Sequence, residues 1–423
     1  MKRTNLKHPL ISLMLLLALA VQLAGCNPVI DVAADDLMDG IQAQNVKSRN
    51  SDGAFVNSQM ALAVKLFQAS AAESDEKNLL ISPLSIQLAL AMTANGADGT
   101  TKAEMEALLG DAIPLEALNE YLSTYVKNLP SAEKSKLQIA NSIWFRDNEN
   151  RLSVNPEFLQ TNANYYGAQA YRSAFDDQTL ADINNWVHTH TDGMIDGILD
   201  EIRDDAVMYL INALTFDAEW QTVYDKNAIL DGTFTAASGE KQTVKMMHSE
   251  ESQYFVTEDA SGFFKNYKGG NYRFVAVLPN EDLSLENYVA SLNASELQRI
   301  LQSDQTGLVL AAMPKFSYDF ELSMNECLKE LGMATAFDSS TADFSKMATS
   351  SKGNIFIGDV LHKTFISVDE LGTKAGAVTK VEMNDEGYYE PALVITLDRP
   401  FLYMIVDTAT NLPVFIGAVT DLG

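Results

Sequence analysis

The segment ELGTKAGAVTKVEMNDEGYYEPALVITLDRP (Glu370–Pro400) decides how the chain is read. Taken alternately, Thr373, Ala375, Ala377, Thr379, Val381 and Met383 are small or apolar. The intervening Lys374, Gly376, Val378, Lys380, Glu382 and Asn384 are mostly polar or charged. A period of two is the signature of a half-buried strand, yet this one runs into an acidic, aromatic-tipped tract that has the composition of an exposed loop. On one side lies the β-rich run HKTFISV (His362–Val368); on the other, ALVITL leads into PFLYMIV. Two readings fit these residues. One is an edge strand followed by a long hairpin loop; the other is a segment able to be loop in one state and strand in another.

The spacing Glu370-x-Gly372-Thr373-x-Ala375-x-Ala377-x-Thr379 resembles the hinge of the reactive-centre loop of serpins. Other stretches carry the same resemblance in the family's order. Asn78, Ser82, Pro83, Ser85 and Ile86 match the family's N-x-x-x-S-P-x-S-I signature. Asn185-Trp186-Val187 followed by Thr191, Gly193 and Ile195 matches a second motif, and VMYLINALTFDAEW (Val207–Trp220) reads as a long central strand. DRPFLYMIVDTATNLPVFIGAV (Asp398–Val419) resembles the C-terminal strand pair, with a turn around Ala409–Pro413. The resemblance spans roughly residues 55–423. It implies an α+β serpin fold of three β-sheets, about nine helices and an exposed reactive-centre loop.

Composition agrees with such a domain. The chain has 423 residues, with 47% hydrophobic and 21% charged, which supports a large core and argues against disorder. A formal charge of −27 argues against nucleic-acid binding, which needs a basic face.

At the N-terminus, Lys2, Arg3 and Lys7 precede the apolar run Ile11–Val21, a length typical of a signal peptide and too short for a stable membrane span. The run ends in Leu23-Ala24-Gly25-Cys26, which resembles a bacterial lipobox, so residues 1–25 are expected to be removed and Cys26 to carry lipid. The expected location is the bacterial cell envelope, lipid-anchored, at the outer membrane or cell surface. Residues 26–53 are polar and poorly periodic and read as a flexible tether, leaving 54–423 as the domain. Cys327 is then the one remaining cysteine, so no disulfide within the chain is expected; its helical setting reads as that of a small buried hydrophobe.

Local signals place the motifs. Ser82 before Pro83 starts a helix, and LSIQLALAM is apolar on all sides, as in a buried helix. Leu137–Phe145 alternates as a strand, and Met60 to Phe67 lie on an amphipathic helix. His188 and His190 are a close histidine pair without a third ligand, and read as exposed side chains, not as a metal site.

The resemblance also implies roles. Asn78, Ser82, Ser85, Asn212, Trp220 and His362 would hold the shutter and breach of the main sheet, with His362 hydrogen-bonded toward Asn212. The hinge would comprise Glu370, Gly372, Thr373, Lys374, Ala375, Gly376, Ala377, Val378 and Thr379, whose entering side chains are small; Lys374 departs from the glutamate common there. Counting forward from Glu370 by the usual loop length puts the reactive bond at Glu386–Gly387, and counting back from Pro400 puts it at Tyr389–Glu390. A glutamate would attract a Glu-preferring protease, a tyrosine a chymotrypsin-like or papain-like one.

No nucleophile elbow, H-E-x-x-H or phosphate-binding loop is present, so enzyme activity, metal and cofactor are not expected. The implied function is a monomeric suicide-substrate inhibitor of serine, and also cysteine, endopeptidases. The alternative is a non-inhibitory surface binding or carrier lipoprotein on the same scaffold.

Overall fold

The computed structural model describes residues 32–147, 152–204, 206–303, 305–373 and 393–423. The first helix among the described residues, Gly53–Glu73, is longer than the periodic stretch and is capped by Asp52, whose carboxylate accepts from the Phe55 N–H at 3.0 Å. The next helix, Pro83–Ala94, begins where Ser82 and Pro83 place it. Ser82 Oγ accepts from Ser85 N–H at 3.2 Å, and all twelve residues are buried, as the absence of a polar face requires. This helix lies beneath the main sheet and against the C-terminal strand Pro413–Val419.

The main sheet has seven strands among the described residues. In spatial order they are Asp35–Asp36, Gln169–Ser173, Ser135–Arg146, Met208–Glu219, Gly372–Thr373, Asp359–Val368 and Phe316–Ser323. The central strand Met208–Glu219 pairs antiparallel along its whole length with Ser135–Arg146, from Ala218 opposite Ser135 to Met208 opposite Phe145. On its other side it meets the parallel strand Asp359–Val368 only at Tyr209–Asp359 and Leu210–Val360. The short strand Gly372–Thr373 wedges between the far ends of these two, with Thr373 opposite both Ala218 and Val368. Among the described residues no ladder joins 211–217 to the facing strand, so the sheet carries a slot closed at both ends.

A small two-stranded sheet pairs Ala348–Ser350 with Leu152–Val154, and a further sheet is built around the 16-residue strand Lys241–Val256. Its first half pairs with Ile229–Thr235 and Thr306–Pro314, the latter flanked by Leu393–Thr396. Its end joins Ala260–Asn266, then Tyr272–Pro279, Phe401–Asp407, Pro413–Val419 and Leu79–Ile81. Nine α-helices occur among the described residues. Most of the core is one apolar cluster; a second, around Trp144, Tyr171, Trp186 and Tyr209, lies under the helix Asp177–His190 on the outer face of the main sheet.

The tether expectation for 26–53 needs correction from residue 32 onward. Asp35–Asp36 adds an edge strand to Gln169–Ser173, and Arg172 binds Asp35 at 2.9 Å. Ala34 N–H donates to Asp182 of the covering helix at 3.1 Å, and Arg49 binds Glu120 at 2.8 Å. Leu37, Met38 and Ile41 pack on the main core. The tract lacks helical period because, apart from a short turn over residues 36–41, it is a strap held by partners distant in sequence. His190 also differs from expectation: its ring stacks on Trp186 at 4.0 Å and is half-buried, while His188 is exposed.

Candidate functional site

The slot is lined midway by a polar cluster. His362 is buried on the strand Asp359–Val368, where alternate residues face inward, and its Nε2 accepts from the Ser82 backbone N–H at 3.1 Å. The expected bond to Asn212 gives way to another arrangement. Asn212 accepts from the Ser85 hydroxyl and donates to Asn141 Oδ1, so it ties the central strand to the helix below and to the neighbouring strand. Asn141 opposite Asn212 in the ladder is the partner that sequence reasoning missed. Its signal was a polar residue inside the alternating run LQIANSIWF. Accepting from an N–H requires an unprotonated Nε2, and burial lowers the His362 pKa to about 4. Asn78 lies outside the slot: its side chain accepts from Thr420 and Asp421 N–H groups and donates to Asp421 O, holding the C-terminal tail.

At the upper end the site is built around Trp220, which is 1% exposed. Its backbone N–H donates to Leu371 O and its indole Nε1 to Asp369 O, both at 2.8 Å. Tyr224 N–H donates to Glu370 O at 3.0 Å. The Glu370 carboxylate pairs with Lys315, which holds its pKa below the ordinary range. Asp369 Oδ1 accepts from the N–H groups of Leu371 and Gly372, closing the turn. Gly372 has to be glycine: a Cβ there would lie 2.0 Å from Ala218 O. Thr373 follows, 3% exposed, with its hydroxyl 2.6 Å from the Tyr267 hydroxyl; the Tyr267 ring stacks on Trp220 at 4.5 Å. Two hinge residues therefore already stand in the sheet as its next strand. Tyr267 and Lys315 were not found from sequence, since nothing in their local runs points to a loop 50 or more residues away.

Lys374, Ala375, Gly376, Ala377, Val378 and Thr379 of the hinge lie outside the described residues, as do both candidate reactive bonds, Glu386–Gly387 and Tyr389–Glu390, and Cys26. Cys327 is 1% exposed, and burial pushes its thiol up to about 11, so it is an inert packing residue.

The family model described as Serpin (serine protease inhibitor) matches residues 57–422. An uncharacterized serpin-like protein of Thermococcus kodakarensis is 30% identical over 82% of this chain and 81% of its own length. Among solved structures, the thermophilic serpin tengpin in its native state is 49% identical, with a TM-score of 0.89 over 92% of this chain and 100% of that one. The same relative in its latent state reaches a TM-score of 0.79 over 89% and 100% at 47% identity, so the arrangement here is closer to the native form. Human thyroxine-binding globulin, in complex with thyroxine, is 25% identical with a TM-score of 0.78 over 87% and 98%. These matches cover the slot, the hinge turn and the sheets around them, and the chain belongs to the serpin family.

Proposed function

We propose that this serpin is a suicide-substrate inhibitor of serine, and also cysteine, endopeptidases. The observation that carries the reading is the slot between the central strand and Asp359–Val368, with Gly372 and Thr373 seated at its mouth. A protease nucleophile attacks the reactive-bond carbonyl. The new acyl bond forms, the peptide C–N bond breaks, and the leaving amine takes a proton from the protease's base. The freed upstream segment then extends the strand that Thr373 begins. From Thr373 to Glu386 it carries the acyl linkage about 45 Å, at roughly 3.3 Å per residue. That displacement distorts the trapped enzyme before water can release it.

The test is incubation with serine and cysteine proteases of differing specificity. An inhibitor gives a complex that survives SDS, the released C-terminal peptide locates the reactive bond by mass, and the nicked protein melts at higher temperature than the intact one. A chain that is cut without forming a complex, and melts no higher once cut, supports the carrier reading instead.

The lipobox-like Leu23–Cys26 supports export with lipid on Cys26 and residence in the bacterial cell envelope, at the outer membrane or cell surface. Between Cys26 and the strap at Val32 the chain reaches at most about 20 Å, so an anchored domain would lie close to its membrane. Cys26→Ser should move the protein from the membrane fraction to the soluble one; retention in the membrane would count against the anchor.

A further inference from the structure

Lys265 is the residue the proposed mechanism leaves unexplained. It sits on the strand Ala260–Asn266 with its side chain 3% exposed, an ammonium group inside the core. Its Nζ donates to Glu251 Oε1 at 2.7 Å, and that same oxygen accepts from Ser249 Oγ at 2.8 Å. The ammonium also stands 4.2 Å from the centre of the Tyr224 ring and 5.6 Å from that of Trp220. These are the two residues whose N–H groups hold Glu370 O and Leu371 O. Asn266, next in the strand, accepts from Gln221 N–H at 2.9 Å and ties the same strand to the same turn.

A buried ion pair is a poor device for stability alone. Desolvating two charges offsets most of their attraction, and apolar replacement of both partners is often neutral or better. Phe263 and Phe264, just before it on the strand, are buried apolar side chains, so the surroundings would accept one here too. What an apolar residue cannot supply is a directional hold on two aromatic faces.

We propose that Lys265, fixed by Glu251, is a positioning residue for loop insertion: it seats Trp220 and Tyr224 so that Asp369–Leu371 deliver Gly372 and Thr373 into the slot in register. This rests on the insertion reading above. The ion pair sets the two rings, the rings and their N–H groups set the turn, and the turn sets which residues of the central strand the incoming segment meets first.

The experiment compares the parent with Lys265→Met, Lys265→Arg, Lys265→Met/Glu251→Leu and Tyr224→Leu. Each is followed by melting temperature, by the fraction of SDS-stable complex, and by the rate of the tryptophan-fluorescence change after the loop is nicked. Lys265→Met should lose both stability and insertion rate, because it strands Glu251, and Lys265→Arg should regain most of the rate. The double variant should recover the parent's melting temperature yet insert at least fivefold more slowly, with less complex. Recovery of both would make Lys265 merely structural and overturn the proposal. Tyr224→Leu keeps the ion pair and removes the nearer ring; insertion at the parent's rate in that variant would also overturn it. If the parent inserts after nicking but traps no protease, the inhibitor reading fails while this one is still judged on insertion rate. If the nicked parent does not insert, both fail.

Discussion

The hydroxyls of Thr373 and Tyr267 lie 2.6 Å apart at the mouth of the slot, both side chains buried. This contact joins Thr373, already seated in the main sheet, to the stacked rings of Tyr267 and Trp220. Thr373→Arg would place a charge in that site at a cost of several kcal/mol. The expected outcome is a substrate: normal cleavage of the loop, with SDS-stable complex reduced to a trace. Undiminished complex would show that entry does not pass through this position. Tyr267→Phe is milder, on the order of 1 kcal/mol, and should lower the complex yield only partially.

Gly372 supplies a steric test of the same step. With Ala218 O only 2.0 Å from where its Cβ would be, Gly372→Val cannot keep the short strand in place. The turn at Asp369 should open, and limited proteolysis should cut at the 371–373 bonds faster than in the parent. An unchanged digestion pattern would mean that the backbone shifts without cost.

Burial of His362 predicts a fold that weakens in acid. Its folded pKa, near 4, lies below the ordinary histidine value, so between those two values the unfolded chain binds more protons. Stability from the neutral imidazole is fully present above about pH 6.5 and is lost as pH falls toward 4, by an amount on the order of 3 kcal/mol. Calorimetry across that range should show the loss. His362→Gln, destabilised at neutral pH, should show a flatter profile; a slope identical to the parent's would assign the acid sensitivity elsewhere.

The N-terminal strap bears on stability as well. Removing residues 27–51 while keeping the Asp52 cap deletes the Asp35–Asp36 edge strand, the Arg49–Glu120 pair and the packing of Leu37, Met38 and Ile41. These partly buried contacts amount to roughly 3 kcal/mol. The melting temperature of the shortened protein should fall by several degrees, and equal melting would make the strap incidental.

The legibility of this chain in sequence follows the range of its interactions. Helix Pro83–Ala94 could be read because its start depends on Ser82, Pro83 and Ser85, and its burial on its own apolar composition. The strand around His362 could be read because alternation is local, and the one around Asn212 because a long apolar run buried on both faces is a matter of its own composition. Residues 32–52 could not be read, since a strap held by Arg172, Asp182, Asn164 and Glu120 has no internal pattern. Lys265 misleads in the same way: a lysine in a strand signals solvent, and only Glu251 and the ring of Tyr224 make its burial tolerable.

By itself the sequence determined the fold class, the family, and the fitness of Thr373 to be buried, because small size and strand period are properties of residues and their neighbours. The tertiary structure alone decided that two hinge residues are already seated, that His362 takes its bond from Ser82 while Asn212 bridges Ser85 and Asn141, and that a buried ammonium underlies the turn. Each of those depends on groups brought together from far along the chain, and hydrogen bonds and charges act over a few ångströms of space irrespective of separation in sequence.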